Sequence, residues 1–165
     1  MSNTKTYNFQ SRLRNLVPVL DTVAYATGDV LAVPTAFFIS DAASGVGQLH
    51  GRVRSITIID TDGEDAGMDI VIASQEISLG ALNGAAAISA EDAQQVTAVV
   101  SIVAADYVAI GDKSIATLPD VNVPIHAGET GQIWVGLIVR DAATFSADGL
   151  TLRMEVQLDN NGFGS

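Results

Sequence analysis

Cysteine is absent from this chain of 165 residues, so it can form neither a disulfide framework nor a thiolate metal site. Charged residues make up only 16% of the chain and aromatic residues 5%, whereas apolar residues make up 48%. The surface must therefore be covered largely by small and uncharged polar side chains. Such surfaces are typical of proteins partly buried in an assembly, although a monomer with a neutral polar exterior has the same composition.

Membrane-spanning and nucleic-acid-binding signals are also lacking. No segment approaches the roughly 18 apolar residues that a membrane span needs, and the first ten residues lack the apolar core of a secretion signal. Residues 1–54 hold five bases and three acids, whereas the rest of the chain holds three bases and sixteen acids, giving a net charge of −11. An acidic body argues against nucleic acid as a partner, because binding a phosphate backbone needs clustered Lys and Arg. We expect a protein made in the cytoplasm, with neither nucleic acid nor membrane as partner.

Alternation of apolar and polar residues predicts several strands. Leu150 to Asp159 alternates without exception, which indicates a strand with one buried and one exposed face. Gln132 to Arg140 is apolar on both faces and predicts a strand buried on both sides. Val96 to Ala104 is rich in Val and Ile and predicts a central strand. Leu16 to Leu20 predicts the first strand of the chain, and the apolar run from Val30 to Ile39 predicts another strand.

The connecting segments carry turn signals and one helix signal. The polar stretch Thr61 to Gly67 predicts a long hairpin loop between two strands, and Asp148-Gly149 is a turn signal between the last two strands. The predicted helix spans Ser89 to Gln95, where Ser89 precedes Asp92 at capping-box spacing. It is one or two turns long.

The number and spacing of the apolar runs predict the architecture. With short runs at 107–110, 113–117 and 121–125, the chain holds roughly eight to ten strands separated by turn residues. We predict an all-β protein, a single antiparallel β-sandwich domain over residues 16–165 that is jelly-roll-like and carries one short helix. An N-terminal arm over residues 1–15 precedes it.

The densest acidic cluster runs from Asp60 to Asp69 and at first sight resembles a calcium loop. An EF-hand loop needs oxygen ligands at its first, third and fifth positions, Gly at the sixth and Glu at the twelfth. Here Gly63 comes too early, and no Glu lies at the twelfth position. We therefore interpret the cluster as a solvated hairpin loop whose charges discourage edge-to-edge pairing, and we expect no metal and no cofactor.

Catalytic candidates are few. His50 and His126 are the only histidines, and Glu129, three residues after His126, is the one His, Asp or Glu within two to four residues of either, so a metal site would need a pairing across the fold. Ser44 lacks the Gly two positions earlier that a nucleophile elbow requires. Trp134 lies in an apolar run, which favours a core position over an exposed sugar platform. We expect no catalytic residue and no enzyme activity.

The N-terminal arm offers the candidate contact residues for a partner protein. Two aromatic and three basic side chains lie in a polar segment: Lys5, Tyr7, Phe9, Arg12 and Arg14. Tyr and Arg are favoured anchors in protein interfaces, so such an arm suits docking onto an acidic or aromatic-lined surface. A frayed terminus or a simple edge strand is the alternative.

Five segments in fixed order carry a resemblance to a known family: Leu16–Leu20, Tyr25–Leu31, Ser55–Asp60, Ile133–Arg140 and Thr144–Leu152. Together they resemble the small structural proteins that decorate the heads of tailed bacteriophages and cyanophages. Most of the resemblance lies in Tyr25 to Val30, where Gly28 supplies backbone freedom for a turn that leads into the next strand.

The resemblance implies a capsid decoration, or cement, protein. Such a protein has a jelly-roll-like domain, is commonly a homotrimer, and clamps neighbouring subunits of the major capsid protein on the outside of the head. It implies a virion location after assembly in the host cytoplasm, and neither a catalytic set nor a cofactor. A receptor- or carbohydrate-binding module of a virion is the main alternative. An enzyme on a cupin-like sandwich would need His and carboxylate side chains that converge in one cavity.

Overall fold

A computed structural model of the chain describes residues 10–39, 49–127 and 131–158. The strands in these ranges are β1 (Gln10–Leu16), β2 (Val30–Phe38), β3 (Leu49–Asp60), β4 (Met68–Ala73), β5 (Val96–Ile102), β6 (Tyr107–Ile110), β7 (Lys113–Leu118), β8 (Val123–Ala127), β9 (Gln132–Val139) and β10 (Leu150–Leu158). One helical turn, α1 (Ala90–Ala93), precedes β5, and a 3-10 turn over Ala104–Asp106 precedes β6.

The strands form two antiparallel sheets. The six-stranded sheet has the order β1-β10-β3-β7-β6, with β8 also paired to β3, and the four-stranded sheet has the order β2-β9-β4-β5. The pairs β1–β10, β2–β9, β3–β7 and β4–β5 are nested in sequence, so the chain rolls up as one long folded hairpin shared between the sheets. This nesting is the jelly-roll arrangement. The predicted all-β, jelly-roll-like sandwich with one short helix is confirmed.

The main core lies between the two sheets and follows the period-two pattern. In β10 every second residue is buried, from Leu150 to Leu158, as its alternation predicts. The β-branched and aliphatic side chains of β3 and β4, among them Ile56, Ile58 and Ile70, are fully buried against it. Burial of this apolar surface is the main favourable term in folding.

A smaller apolar cluster lies on the other face of the four-stranded sheet. Val30 and Val71 pack there with Ile77 and Leu79, which come from the segment between β4 and α1. Trp134 is half-buried and packs against this cluster. Strand β9 therefore has apolar neighbours on both faces, as predicted, because the segment after β4 folds over the sheet.

The turn before β2 is organised by Tyr25. Its ring is 2% exposed, and its hydroxyl accepts a hydrogen bond from the N–H of Asp21 at 2.6 Å. Gly28 has a φ of +90°, a left-handed conformation that strains other residues, so the predicted glycine-dependent turn is observed. The carboxylate of Asp29 accepts from the N–H of Ala26 at 2.7 Å and closes the turn.

The predicted helix is confirmed in a shortened form. Helix α1 spans Ala90–Ala93, and the hydroxyl of Ser89 accepts a hydrogen bond from the N–H of Asp92 at 3.0 Å. This is the N-cap that the spacing of the two residues predicts.

The predicted hairpin around Thr61 to Gly67 is wrong, because β3 and β4 belong to different sheets. The loop from Asp141 to Gly149 likewise crosses from one sheet to the other instead of joining paired strands. Neighbouring strands in a sequence usually lie side by side, and that tendency favoured the hairpin interpretation. In a jelly roll the pairing partners are distant in sequence.

Two strand predictions need correction. The first strand ends rather than begins at Leu16, since Pro18 has no N–H to donate to a sheet ladder. Strand β5 lies at the edge of the four-stranded sheet and not at its centre, and its Val99 is exposed. A run of Val and Ile therefore did not distinguish a central strand from an edge strand.

Candidate functional site

The acidic cluster after β3 is a structural loop organised by Asp60. This carboxylate is fully buried. It accepts hydrogen bonds at 2.9–3.0 Å from three backbone N–H groups of the following loop, those of Asp62, Gly63 and Asp65. A buried charge is tolerated where several donors replace its water shell. Asp60 therefore holds the loop in shape.

The same loop is joined to the one between β9 and β10. The carboxylate of Asp62 accepts from the N–H and the hydroxyl of Ser146, at 2.7 and 3.0 Å. In the opposite direction, Asp141 accepts from the N–H of Gly67 at 2.9 Å. We call residues 60–67 and 141–149 the loop clasp. The carboxylates of Asp60, Asp62 and Asp141 accept from donors of the two crossing loops, which ties the two sheets together at this end.

Tyr107 lies beside the loop clasp, and its hydroxyl donates to the carbonyl of Ala66 at 3.1 Å. Burial, and to a smaller extent the carboxylates of Asp60, Asp65 and Asp106, raise the pKa of this phenol well above its ordinary value. The folded protein therefore keeps the Tyr107 proton at pH values where the unfolded chain releases it.

We expect the free energy of unfolding to fall as pH rises above about 10, because the unfolded state then binds fewer protons than the folded state. Tyr107→Phe has no proton to lose, so it should show a smaller decline, at a cost of about 1 kcal/mol near neutral pH for the lost hydrogen bond. Burial also raises the pKa of Tyr25, so the free energy of unfolding of Tyr107→Phe should still fall somewhat at high pH. Urea unfolding at several pH values measures both effects. Parallel stability curves for the variant and the wild type would contradict the prediction.

The two histidines meet across the six-stranded sheet. His50 of β3 lies directly opposite His126 of β8, with Nδ1 atoms 2.6 Å apart and ring planes at 80°. Their strand neighbours Gly51, Ile125 and Ala127 are buried, so both imidazoles lie on the outer face of the sheet. Sequence spacing missed this pair, because the two residues are 76 positions apart.

No group of three or more His, Asp or Glu side chains that could hold a metal ion is found within residues 10–39, 49–127 and 131–158. Ser44 lies outside them. Within the same ranges no helix is long and apolar enough to span a membrane.

The candidate contact residues of the arm fall into two groups. Lys5, Tyr7 and Phe9 lie outside the described residues. Arg12 and Arg14 lie on β1, directly opposite buried residues of β10, and are themselves half-buried. Because opposite residues of paired strands share a face, both Arg side chains are on the face of β1 directed toward the core.

Residues 10–15 of the predicted arm therefore belong to the sandwich as its edge strand, which was the alternative interpretation of this segment. Inward-pointing charges on an edge strand discourage the addition of a further strand. The opposite face of β1 presents Leu13, which is 62% exposed.

Exposed apolar side chains cluster in sequence at the strands that end the sheets. Ten of these side chains lie in three parts of the chain: β1 with the segment after it, β2, and the stretch from β5 to β6. They are Leu13, Val17, Val19, Val23, Val33, Phe38, Val99, Val103, Val108 and Ile110. Strand β6 is the last strand of the six-stranded sheet, and its Val108 and Ile110 are 65% and 61% exposed. Apolar groups at open sheet edges favour association.

The sequence matches no protein-family model and no curated protein. Among solved structures, the chain is similar to one in the crystal structure of tomato aspermy virus, with 11% sequence identity and a TM-score of 0.47. The alignment covers 100% of this chain and 85% of the other. A likeness of this degree carries no conclusion about function.

Proposed function

We propose that this chain is a structural virion protein, a capsid decoration or cement protein that binds the outside of a phage head and stabilises contacts between major capsid protein subunits. The observation that carries the proposal is the set of exposed apolar side chains on the strands at the ends of both sheets. A jelly roll with apolar edges and few surface charges suits burial in an assembly. The family resemblance of its sequence segments supplies the kind of assembly.

The proposed role needs no catalysis. A protein that binds only the assembled shell stabilises that shell by linkage, in proportion to its affinity and free concentration. Binding is tightest where one molecule contacts two capsid subunits at once. After the first contact has formed, the second forms within the same complex, at a high effective concentration. The shape of a cement protein must therefore be rigid, and the loop clasp contributes to that rigidity by joining the crossing loops.

The N-terminal arm is the proposed attachment element. Lys5, Tyr7 and Phe9 are the anchors that we assign to the capsid contact, since aromatic side chains supply large apolar area on binding. Arg12 and Arg14, which are half-buried on β1, are assigned to the base of the arm. Lys5 is the one charged side chain of residues 2–9, and its positive charge favours an acidic patch on the shell as partner.

Self-association into a homotrimer is the second part of the proposal. Strand β6 is a short open edge with two exposed aliphatic side chains, and no strand of the described chain covers it. Contact between β6 of one copy and another copy would bury Val108 and Ile110. The number three follows from the family resemblance.

A carbohydrate-binding role is less well supported. A sugar platform needs exposed aromatic rings. Within the described part of the chain, Phe38 is the one exposed aromatic residue, whereas Tyr25, Phe37 and Phe145 are buried and Trp134 is half-buried.

Co-sedimentation with empty heads assembled from the major capsid protein of the same virus tests the attachment. We expect deletion of residues 2–9 to lower the apparent affinity for heads at least tenfold, which corresponds to about 1.4 kcal/mol. This deletion stops before β1, because removal of Gln10–Leu16 would uncover β10 and alter the fold.

A variant with the order of residues 2–9 scrambled is the matched control, because it keeps the charge and composition of the arm. Weak binding by both variants, with wild-type unfolding midpoints, supports specific docking of the arm. Head occupancy by the deletion variant equal to that of the wild type would contradict the arm assignment. Light scattering on the same samples measures the mass, and a monomer at micromolar concentration would contradict the trimer.

A further inference from the structure

We propose that His50 and His126 form a surface site for a divalent transition cation that prefers imidazole nitrogen, such as Zn²⁺. The two residues are opposite each other on β3 and β8, and their Nδ1 atoms are 2.6 Å apart on the outer face of the sheet. Imidazole is a common ligand of zinc, nickel and copper ions. This site is separate from the proposed arm contacts and does not depend on the proposed function.

The distance between the two nitrogens indicates where the lone pairs point. At 2.6 Å, one Nδ1 must donate a proton and the other must accept it, since two protonated nitrogens would repel each other. Both Nδ1 atoms are therefore directed at the same small volume. A cation that replaces the shared proton would receive a lone pair from each ring.

The fit to a metal ion requires only a small movement. Zinc binds imidazole nitrogen at about 2.0–2.1 Å, so two nitrogens of a tetrahedral site lie roughly 3.3 Å apart. The pair must open by about 0.7 Å to reach this separation. His126 is exposed and His50 is partly exposed, so rotation of the side chains can supply the movement without a change in the core. Water would fill the remaining ligand positions.

The nearest positively charged side chain on β3, which would repel a bound cation, is directed away from the histidine pair. Arg52 is the next residue of β3 on the same face, and its guanidinium donates to Oδ1 of Asn122 at 3.2 Å. Asn122 precedes β8, whereas His126 lies near the end of that strand. Arg54 donates to the same amide at 3.4 Å. The positive charges are thus gathered at the opposite end of the β3–β8 pair, which reduces their repulsion of a cation.

Isothermal titration of the tag-free full chain with Zn²⁺ tests the site. We expect one Zn²⁺ per chain, an increase in the unfolding midpoint that a chelator reverses, and no response to Ca²⁺, which prefers oxygen ligands. His126→Ala and His50→Ala should each weaken binding at least tenfold. In spectra of imidazole nitrogens, the Nδ1 signals of both residues should shift on addition of Zn²⁺.

Thr117→Ala is the matched control. Thr117 and Thr57 form another pair across β3 and β7, with hydroxyl oxygens 3.3 Å apart, so this variant changes a cross-strand contact without removing an imidazole. It should bind Zn²⁺ like the wild type. The proposal is overturned if the wild type binds no Zn²⁺, or if His126→Ala and His50→Ala bind it with unchanged affinity, which would place the ion elsewhere. Unfolding midpoints measured in chelator establish that the variants are folded.

Discussion

Replacement of Asp60 by Ala is expected to lower the free energy of unfolding by about 3–5 kcal/mol. The carboxylate is fully buried and accepts three backbone N–H groups at 2.9–3.0 Å. Alanine would leave these donors without a charged acceptor and would release the loop that carries Asp62. The contact of Asp62 with Ser146 then weakens as well, so the crossing loops lose part of their connection. Urea denaturation measures the loss.

Two further variants make the result specific to the carboxylate. Asp60→Asn keeps one side-chain oxygen and should cost about 1–3 kcal/mol, because it loses the charge and one acceptor atom. Asp112→Ala removes the same charge at an exposed position, where the carboxylate lies 3.8 Å from Lys113, and should change stability by less than about 0.5 kcal/mol. Equal effects of Asp60→Ala and Asp112→Ala would show that Asp60 does not organise the loop.

Replacement of Tyr25 by Ala is expected to cost about 3–5 kcal/mol, the usual range for removal of a buried aromatic ring. The ring packs against that of Phe145 with centroids 6.3 Å apart, and the hydroxyl lies between the N–H of Asp21 and the carbonyl of Leu31. Loss of the side chain would open a cavity where the turn before β2 meets the loop before β10. Thermal or urea unfolding measures the effect.

The contributions of the ring and the hydroxyl can be separated. Tyr25→Phe keeps the ring and should cost about 1–2 kcal/mol, chiefly because the N–H of Asp21 loses its acceptor. Phe38→Ala, at an aromatic residue that is 54% exposed, should cost clearly less than Tyr25→Ala. If Tyr25→Phe were as damaging as Tyr25→Ala, the hydroxyl and not the packing of the ring would dominate.

The histidine pair shows which part of a candidate site the sequence could not reveal. Ligands on one strand or turn are close in sequence, so spacing alone indicates a metal site only within a few residues of each His. His50 and His126 are brought together by the pairing of β3 with β8. Their contact depends on the register of two distant strands, and a shift of that register by one residue would place His126 on the inner face.

Arg12 and Arg14 show a similar limit. Their charge and their place near the terminus predicted exposed anchors on a free arm. The pairing of β1 with β10 instead places them opposite Val156 and Met154, on the face directed toward the core. The aliphatic stems of long basic side chains can lie against apolar groups, so charge alone did not predict exposure.

The sequence by itself determined the local structure of this protein. Two of the correct predictions rest on the period of a strand: the alternation along Leu150–Leu158 and the apolar residues on both faces of Gln132–Val139. Two others rest on contacts within a few residues: the Ser89 cap and the turn at Gly28. Only the tertiary structure decided which strands pair. It also decided that the loops at 61–67 and 141–149 cross between the sheets and that the two histidines lie on the same face. The physical reason is that these features depend on contacts between residues far apart in the chain, whose registers no local pattern encodes.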